Sequence, residues 1–235
     1  MSFMMPACSR FAVRSYGWRY VLVQILVAGA LSLIAETIAA PAYAQTPVKV
    51  IALGDSLTAG YGLPDKDGFV PQLQAALTAK GVAAEVQNAG VSGDTASDGL
   101  ARLDWSVPDD TNAVILELGA NDMLRGINPD VTRKALDAIL SRLTQRHIAI
   151  LFCGMRAAPN LGPDYVQAFE RIYPDLAAKY GVSLYPFFLD GVAADPKLTQ
   201  HDGLHPNATG VGIIVERILP KVQELIAGVQ VRHRS

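Results

Sequence analysis

Cysteine is nearly missing from this chain: there are two in 235 residues, Cys8 and Cys153. Only Cys153 lies beyond the basic and apolar N-terminal segment, so no intramolecular disulfide can staple the folded part. Basic runs are missing too. The 20 Lys and Arg are balanced by 22 Asp and Glu, which leaves no electrostatic footprint for nucleic acid. No Cys/His cluster has structural-zinc spacing, and no repeat or low-complexity tract interrupts the chain. The longest apolar stretch, Val21 to Ala35, is interrupted by Gln24 and Ser32 and is shorter than the roughly 20 residues that span a bilayer as a helix. Gly-x-Ser-x-Gly occurs nowhere, which excludes the nucleophile elbow of the α/β-hydrolases.

What stands at the N-terminus is ordered. Arg10, Arg14 and Arg19 come without an acid, the apolar stretch follows, Glu36 ends it, and Ala42-Tyr43-Ala44 supplies a small-x-small pattern before Gln45. That order predicts a signal peptide over residues 1–44, cleaved after Ala44, and a periplasmic or secreted domain over residues 45–235. An uncleaved N-terminal anchor is the alternative. Cys8 precedes the apolar stretch, the wrong place for a lipid-anchor cysteine. Without the leader, 17 basic and 21 acidic residues remain, a formal charge of −4. About 190 residues can supply a core of their own.

The rest of the chain is organised around Ala52-Leu53-Gly54-Asp55-Ser56-Leu57-Thr58-Ala59-Gly60-Tyr61-Gly62. Val48 to Leu53 has the length and β-branched content of a buried strand. Glycines at 54, 60 and 62 are expected to let the backbone turn sharply. A polar residue just past the carboxyl end of a strand faces the ligand crevice of an open α/β sheet. Ser56 therefore stands where a nucleophile would, or it simply caps the next segment.

Further strands are expected at Ala84–Ala89, Ala113–Leu118, Ile148–Cys153 and Ser183–Tyr185. Between them, helical spacing places Phe69, Leu73, Ala76 and Leu77 on one face, closed by Gly81. Thr95 and Asp98 form a capping box. Asn128-Pro129 starts a helix whose buried stripe is Val131, Ala135, Leu136, Ile139, Leu140 and Leu143. One amphipathic helix carries Val166, Phe169, Ile172, Tyr173 and Leu176. The last helix begins near Asn207 and is expected to kink at Pro220. The alternation predicts an α/β fold with a parallel sheet covered on both faces. Right-handed crossovers then gather the loops after each strand, with Ser56, Gly93 and Asn121, at one edge.

A serine hydroxyl needs a base, usually a histidine oriented by a carboxylate. His147 closes a helix, where a cation suits the dipole, and His233 lies in the tail. In Asp202-Gly203-Leu204-His205-Pro206-Asn207, residues three apart in a tight turn can face the same way, so Asp202 can hold the His205 ring. The same stretch also reads as a turn capped by Asn207 before the last helix. Donors for an oxyanion would be the N–H groups of Ser56 and Gly93 and the side-chain amide of Asn121. Taken singly, Gly93 is also explained by its backbone angles and Asn121 by its own loop.

Gly54-Asp55-Ser56-Leu57, Asn88 to Thr95, Gly119-Ala120-Asn121-Asp122 and Asp202 to Asn207, in that order, resemble the four blocks of the GDSL, or SGNH, hydrolases. Glu117 to Asp122 continuing to Leu124-Arg125-Gly126, with Arg156, Pro159, Asn160 and Tyr165, is similar to the exported arylesterase, acyl-CoA thioesterase and lysophospholipase branch. The resemblance implies a three-layer α/β/α sandwich with a parallel, flavodoxin-like sheet of about five strands. It implies Ser56 as nucleophile, His205 as base, Asp202 as its partner, and Gly93 and Asn121 beside Ser56 in the oxyanion hole. Gly93 matches that block rather than Gly90.

The activity this implies is metal-free and cofactor-free hydrolysis of small acyl or aryl esters or thioesters through an acyl-enzyme. One rival is a metal-dependent phosphoesterase drawing ligands from Asp55, Asp94, Asp122, Asp202 and His205. Another is a non-catalytic periplasmic binding protein. Met123, Leu124, Ile127, Met155, Pro159, Leu161 and Tyr165 are candidates for an apolar substrate groove, or else pack their own loops. Glu117, an acid inside an apolar strand, has no role assigned by its sequence context.

Overall fold

The computed structural model describes residues 46–232; the expected leader and the tail with His233 lie outside the described residues. Five strands, β1 (Val48–Gly54), β2 (Ala84–Gly90), β3 (Ala113–Glu117), β4 (Ala149–Cys153) and β5 (Ser183–Tyr185), form one sheet. Its order is β2-β1-β3-β4-β5, and every pairing is parallel. β1, β3 and β4 are almost wholly buried, which is why their sequences are continuous apolar runs rather than alternating ones.

Helices cover both faces. α1 (Ser56–Ala59) is a single turn leaving β1, followed by α2 (Phe69–Ala79). The next are α3 (Ala96–Ala101), α4 (Leu103–Ser106), α5 (Ala120–Leu124) and α6 (Pro129–Gln145). The last are α7 (Pro163–Glu170), α8 (Ile172–Tyr180) and α9 (Ala208–Arg232). α2 packs with α9, while α6 packs with α3 and α8. Among the described residues, no helix is long and apolar enough to cross a membrane.

The strand order reverses between β1 and β3. In such a sheet the crevice outside the carboxyl ends of the strands on either side of the reversal is where ligands sit. Ser56 follows β1 and Asn121 follows β3, so this connectivity alone sets both residues beside that crevice.

Two local expectations need correction. Val131 is exposed; the buried stripe of α6 runs through Thr132, Ala135, Leu136, Ile139, Leu140 and Leu143. The single helix expected over Val166 to Leu176 is two, α7 and α8, joined at Arg171. Pro174 explains the break, because it cannot donate to the Glu170 carbonyl and its ring crowds that turn. Pro220 lies inside α9.

Candidate active site

β1 ends at Gly54, and this glycine is required by crowding, not by turning. Gly60 and Gly62 have positive φ, 81° and 73°, but Gly54 does not. A Cβ at Gly54 would overlap Thr58 Oγ1 and stand 2.7 Å from the Glu117 carbonyl oxygen. Asp55 is the N-cap of α1, its Oδ1 accepting the Leu57 N–H at 3.0 Å. The capping role proposed for Ser56 thus belongs to Asp55, and the serine hydroxyl is left for other work. That hydroxyl lies 2.9 Å from His205 Nε2.

The imidazole comes from the turn before α9. His205 Nδ1 is 2.6 Å from Asp202 Oδ2, while Asp202 Oδ1 accepts the N–H groups of Leu204 and His205 at 2.9 and 3.0 Å. One oxygen therefore shapes the turn and the other holds the ring. The hydrogen bond to His205, backed by those two N–H groups, lowers the Asp202 pKa to about 2. The Tyr61 ring lies against the imidazole, centroids 4.7 Å apart. Asn207 closes the turn by accepting the Gly210 N–H at 3.0 Å, the cap read from sequence.

Asn121 bridges the two other turns. Its Nδ2 donates to Asp55 Oδ2 at 3.1 Å and to the Asp94 carbonyl at 3.0 Å. Gly93 has φ 90°, which favours glycine there, and its carbonyl accepts Arg125 Nη2 at 2.7 Å. Thr95 forms the capping box with Asp98. Asp122, buried, ties this region together: Oδ2 accepts the Ala96 N–H at 2.8 Å and Oδ1 the Thr132 hydroxyl at 2.9 Å.

Beneath Ser56 lie two buried acids. Glu117 Oε2 accepts the Thr58 hydroxyl at 2.7 Å and the Asp55 N–H at 3.4 Å, whereas Oε1 has no partner among the described residues. Burial, reinforced by the Asp55 charge, pushes the Glu117 pKa well above the usual carboxylate range. Burial also raises Asp55 to about 6, opposed by its bonds to the Leu57 N–H and Asn121. Buried Arg102 spans the strand ends. Its Nε is 2.5 Å from Asp94 Oδ2, Nη1 reaches the Ala89 carbonyl and Ser106 Oγ at 2.8 and 3.0 Å, and Nη2 the Gly54 carbonyl at 2.8 Å. Sequence reasoning passed over Arg102, Thr58 and Gln200, none of which sits in a spacing that signals its contacts.

The acids offered as metal ligands are drawn apart, Asp94 to Arg102 and Asp122 to Ala96 and Thr132. Among the described residues, no group of three or more His, Cys, Asp or Glu side chains could hold a metal ion. The candidate groove residues differ in burial. Met155 is buried in the core, Met123, Ile127 and Leu161 are half-buried, and Leu124 and Pro159 are exposed. Tyr165 donates its hydroxyl to the Ile127 carbonyl at 2.8 Å, tying two loops together. A small cavity beside Ser56 and His205 is lined by Leu57, Gly60, Tyr61, Leu63, Pro206 and Val211.

Residues 52–213 match the model of the GDSL-like lipase/acylhydrolase family. An arylesterase of Vibrio mimicus is 39% identical over 189 residues, covering 79% of this chain and 92% of the relative. A protein of Escherichia coli (strain K12) named thioesterase 1/protease 1/lysophospholipase L1 is 36% identical over 178 residues, covering 75% and 84%. The crystal structure of AlinE4, an SGNH-hydrolase family esterase, superposes with a TM-score of 0.64 at 46% identity, covering 76% of this chain and 96% of that one.

Proposed function

Since this chain belongs to the GDSL-like lipase/acylhydrolase family, we propose that it is a serine esterase cleaving carboxylic ester or thioester bonds of small acyl or aryl substrates through an acyl-enzyme on Ser56. The observation that carries this is the unbroken chain from Ser56 Oγ to His205 Nε2, 2.9 Å, and from His205 Nδ1 to Asp202 Oδ2, 2.6 Å. Asp202 keeps the proton on Nδ1, so Nε2 presents its lone pair to the hydroxyl. As Ser56 Oγ attacks the acyl carbon, Nε2 takes its proton. The same nitrogen then returns the proton to the leaving alcohol or thiol. A water activated by His205 releases the acid and restores Ser56.

The oxyanion formed at each step would be met by the N–H groups of Ser56 and Gly93 and by Asn121. Both Asn121 amide protons have acceptors in the resting enzyme, so an oxyanion must share one of them. The names of the two relatives, one an arylesterase and one a thioesterase and lysophospholipase, support both ester and thioester leaving groups. Once the alcohol or thiol has departed, an ester and a thioester of the same acid leave the same acyl-enzyme. We further propose that residues 1–44 are a cleaved export leader and that the enzyme works outside the cytoplasm, in keeping with the basic, apolar, small-residue order of that segment.

Labelling with a serine-directed phosphonate, alongside turnover of p-nitrophenyl esters, acyl-CoA and lysophospholipid, tests the reading. Stoichiometric modification of Ser56 and loss of nearly all turnover in Ser56→Ala are expected. Wild-type turnover by Ser56→Ala overturns the assignment. Activity lost to chelator and regained with a divalent metal would favour the phosphoesterase.

A further inference from the structure

The nucleophile and the imidazole belong to turns 149 residues apart in the chain, and a single hydrogen bond between two exchangeable side chains is a weak tie for them. A second link stands beside it. Gln200 Nε2 donates to the Tyr61 carbonyl at 2.8 Å and to the Pro206 carbonyl at 3.0 Å. We propose that Gln200 is a positioning residue whose two amide protons bolt the imidazole turn to the nucleophile turn and so set the distance between His205 and Ser56. This rests on the reading of those two residues as base and nucleophile.

A primary amide has two N–H donors, and here each has a backbone carbonyl on a different turn. The reverse orientation would set the amide oxygen against both carbonyls, so the assignment of nitrogen and oxygen follows from the partners. The oxygen points at Gly62, where a Cβ would overlap it; the missing side chain makes room for the amide. On the imidazole side, the Gln200 main chain closes the turn itself. Its N–H donates to the His205 carbonyl at 2.7 Å, its carbonyl accepts the Gly203 N–H at 3.0 Å, and Thr199 and Pro206 form a β-bridge.

On the nucleophile side, Gly60 and Tyr61 both donate their N–H groups to the Ser56 carbonyl at 3.1 Å. The Tyr61 carbonyl therefore stands at a fixed offset from the serine. Tyr61 also lays its ring on the imidazole, so the bolted residue is the one that packs on His205. Misplacing a catalytic group by about 1 Å can cost on the order of 10² in rate, while substrate affinity need not change.

Gln200→Glu tests this, because it keeps the shape, has no donors when ionised and sets a charge against two carbonyls. Gln200→Met keeps the volume without the charge. Gln72→Ala is the control. Gln72 Nε2 bridges the carbonyls of Asp67 and Ala208 at 2.8 and 3.1 Å, the same kind of link made by a residue outside the catalytic machinery. Both Gln200 variants are expected to lose roughly 10–100-fold in kcat with KM within about twofold. Phosphonate labelling of Ser56 should slow by the same factor. Gln72→Ala should keep kcat even where it lowers Tm as much as the Gln200 variants do. Gln200 variants that keep kcat, or that fail to fold where Gln72→Ala folds, overturn the proposal, the second outcome making Gln200 a folding residue. Wild-type turnover by Ser56→Ala would instead strike the underlying reading, so the two failures are distinguishable.

Discussion

The carboxylate of Asp55 accepts the side-chain amide of Asn121 at 3.1 Å. The residue before the proposed nucleophile thus holds one of the proposed oxyanion donors, and its other oxygen caps α1 through the Leu57 N–H. Only a group with two acceptors can do both. In Asp55→Asn, the retained oxygen can still cap α1, but an NH₂ then faces the Asn121 NH₂ and the two donors repel. Steady-state kinetics should show kcat reduced about tenfold or more with KM little changed, since the loss falls on transition-state stabilisation. Unchanged kcat would mean that the carboxylate does not place Asn121.

The two partners of the reacting atoms should differ in size of effect. Asn121→Ala removes one oxyanion donor and is expected to cost roughly 10²–10³ in kcat. Asp202→Asn keeps an oxygen for the Leu204 and His205 N–H groups but presents an NH₂ to His205 Nδ1. The ring must then carry its proton on Nε2, aimed at Ser56 Oγ, where it cannot act as base. A loss of roughly 10³–10⁴ in kcat is expected for that tautomer error. Equal losses in the two variants would count against a base held by Asp202.

The buried acids make stability depend on pH in a stated direction. Asp55 is raised to about 6 and Glu117 is raised well above its usual value. A group whose native pKa exceeds its unfolded one contributes in full below the unfolded value, near 4, and loses that contribution as pH rises through the native pKa. Asp202, lowered to about 2, acts oppositely: its contribution is present above about pH 4 and is lost as pH falls towards 2. Urea titrations should therefore show stability declining from about pH 4.5 upward through pH 6 and beyond. Glu117→Gln, neutral at every pH, should flatten the upper part of that decline. A slope identical to wild type would show that Glu117 does not titrate there.

Much of this was legible because strands buried on both faces must be apolar along their whole length. β1, β3 and β4 were marked by their apolar runs, and parallel connectivity then put their trailing loops at one edge. Asp202 and His205 were legible because a short turn fixes their geometry locally. Other features depend on groups far apart in sequence. Gly54 reads as a turn residue, yet its reason is the Glu117 and Thr58 atoms crowding it. Glu117 looks misplaced in β3 until the Thr58 hydroxyl and the Asp55 N–H appear above it. Met155 reads as a loop residue beside the crevice, but it packs into the core. The break at Arg171 was written in Pro174 and outweighed by the apolar stripe around it.

Arg102 shows how much rests on one such hidden contact. Its guanidinium carries five donors in a rigid fork, and they reach Asp94, the Gly54 and Ala89 carbonyls and Ser106. One side chain, nearly buried together with its partner acid, thereby links the ends of β1 and β2 and the turn after Gly93. Arg102→Leu would leave the nearly buried Asp94 carboxylate without its counter-charge, a change that costs up to about 3–5 kcal/mol for a fully buried pair, read as a drop in the urea midpoint. Arg102→Leu combined with Asp94→Leu should recover part of that loss, because no uncompensated charge remains. Activity should not recover with stability. The Asp94 carbonyl, which accepts the Asn121 amide, would still lack the anchor that holds its turn. If the double variant regains kcat along with its midpoint, the ion pair serves the fold alone and the oxyanion turn is placed by other contacts.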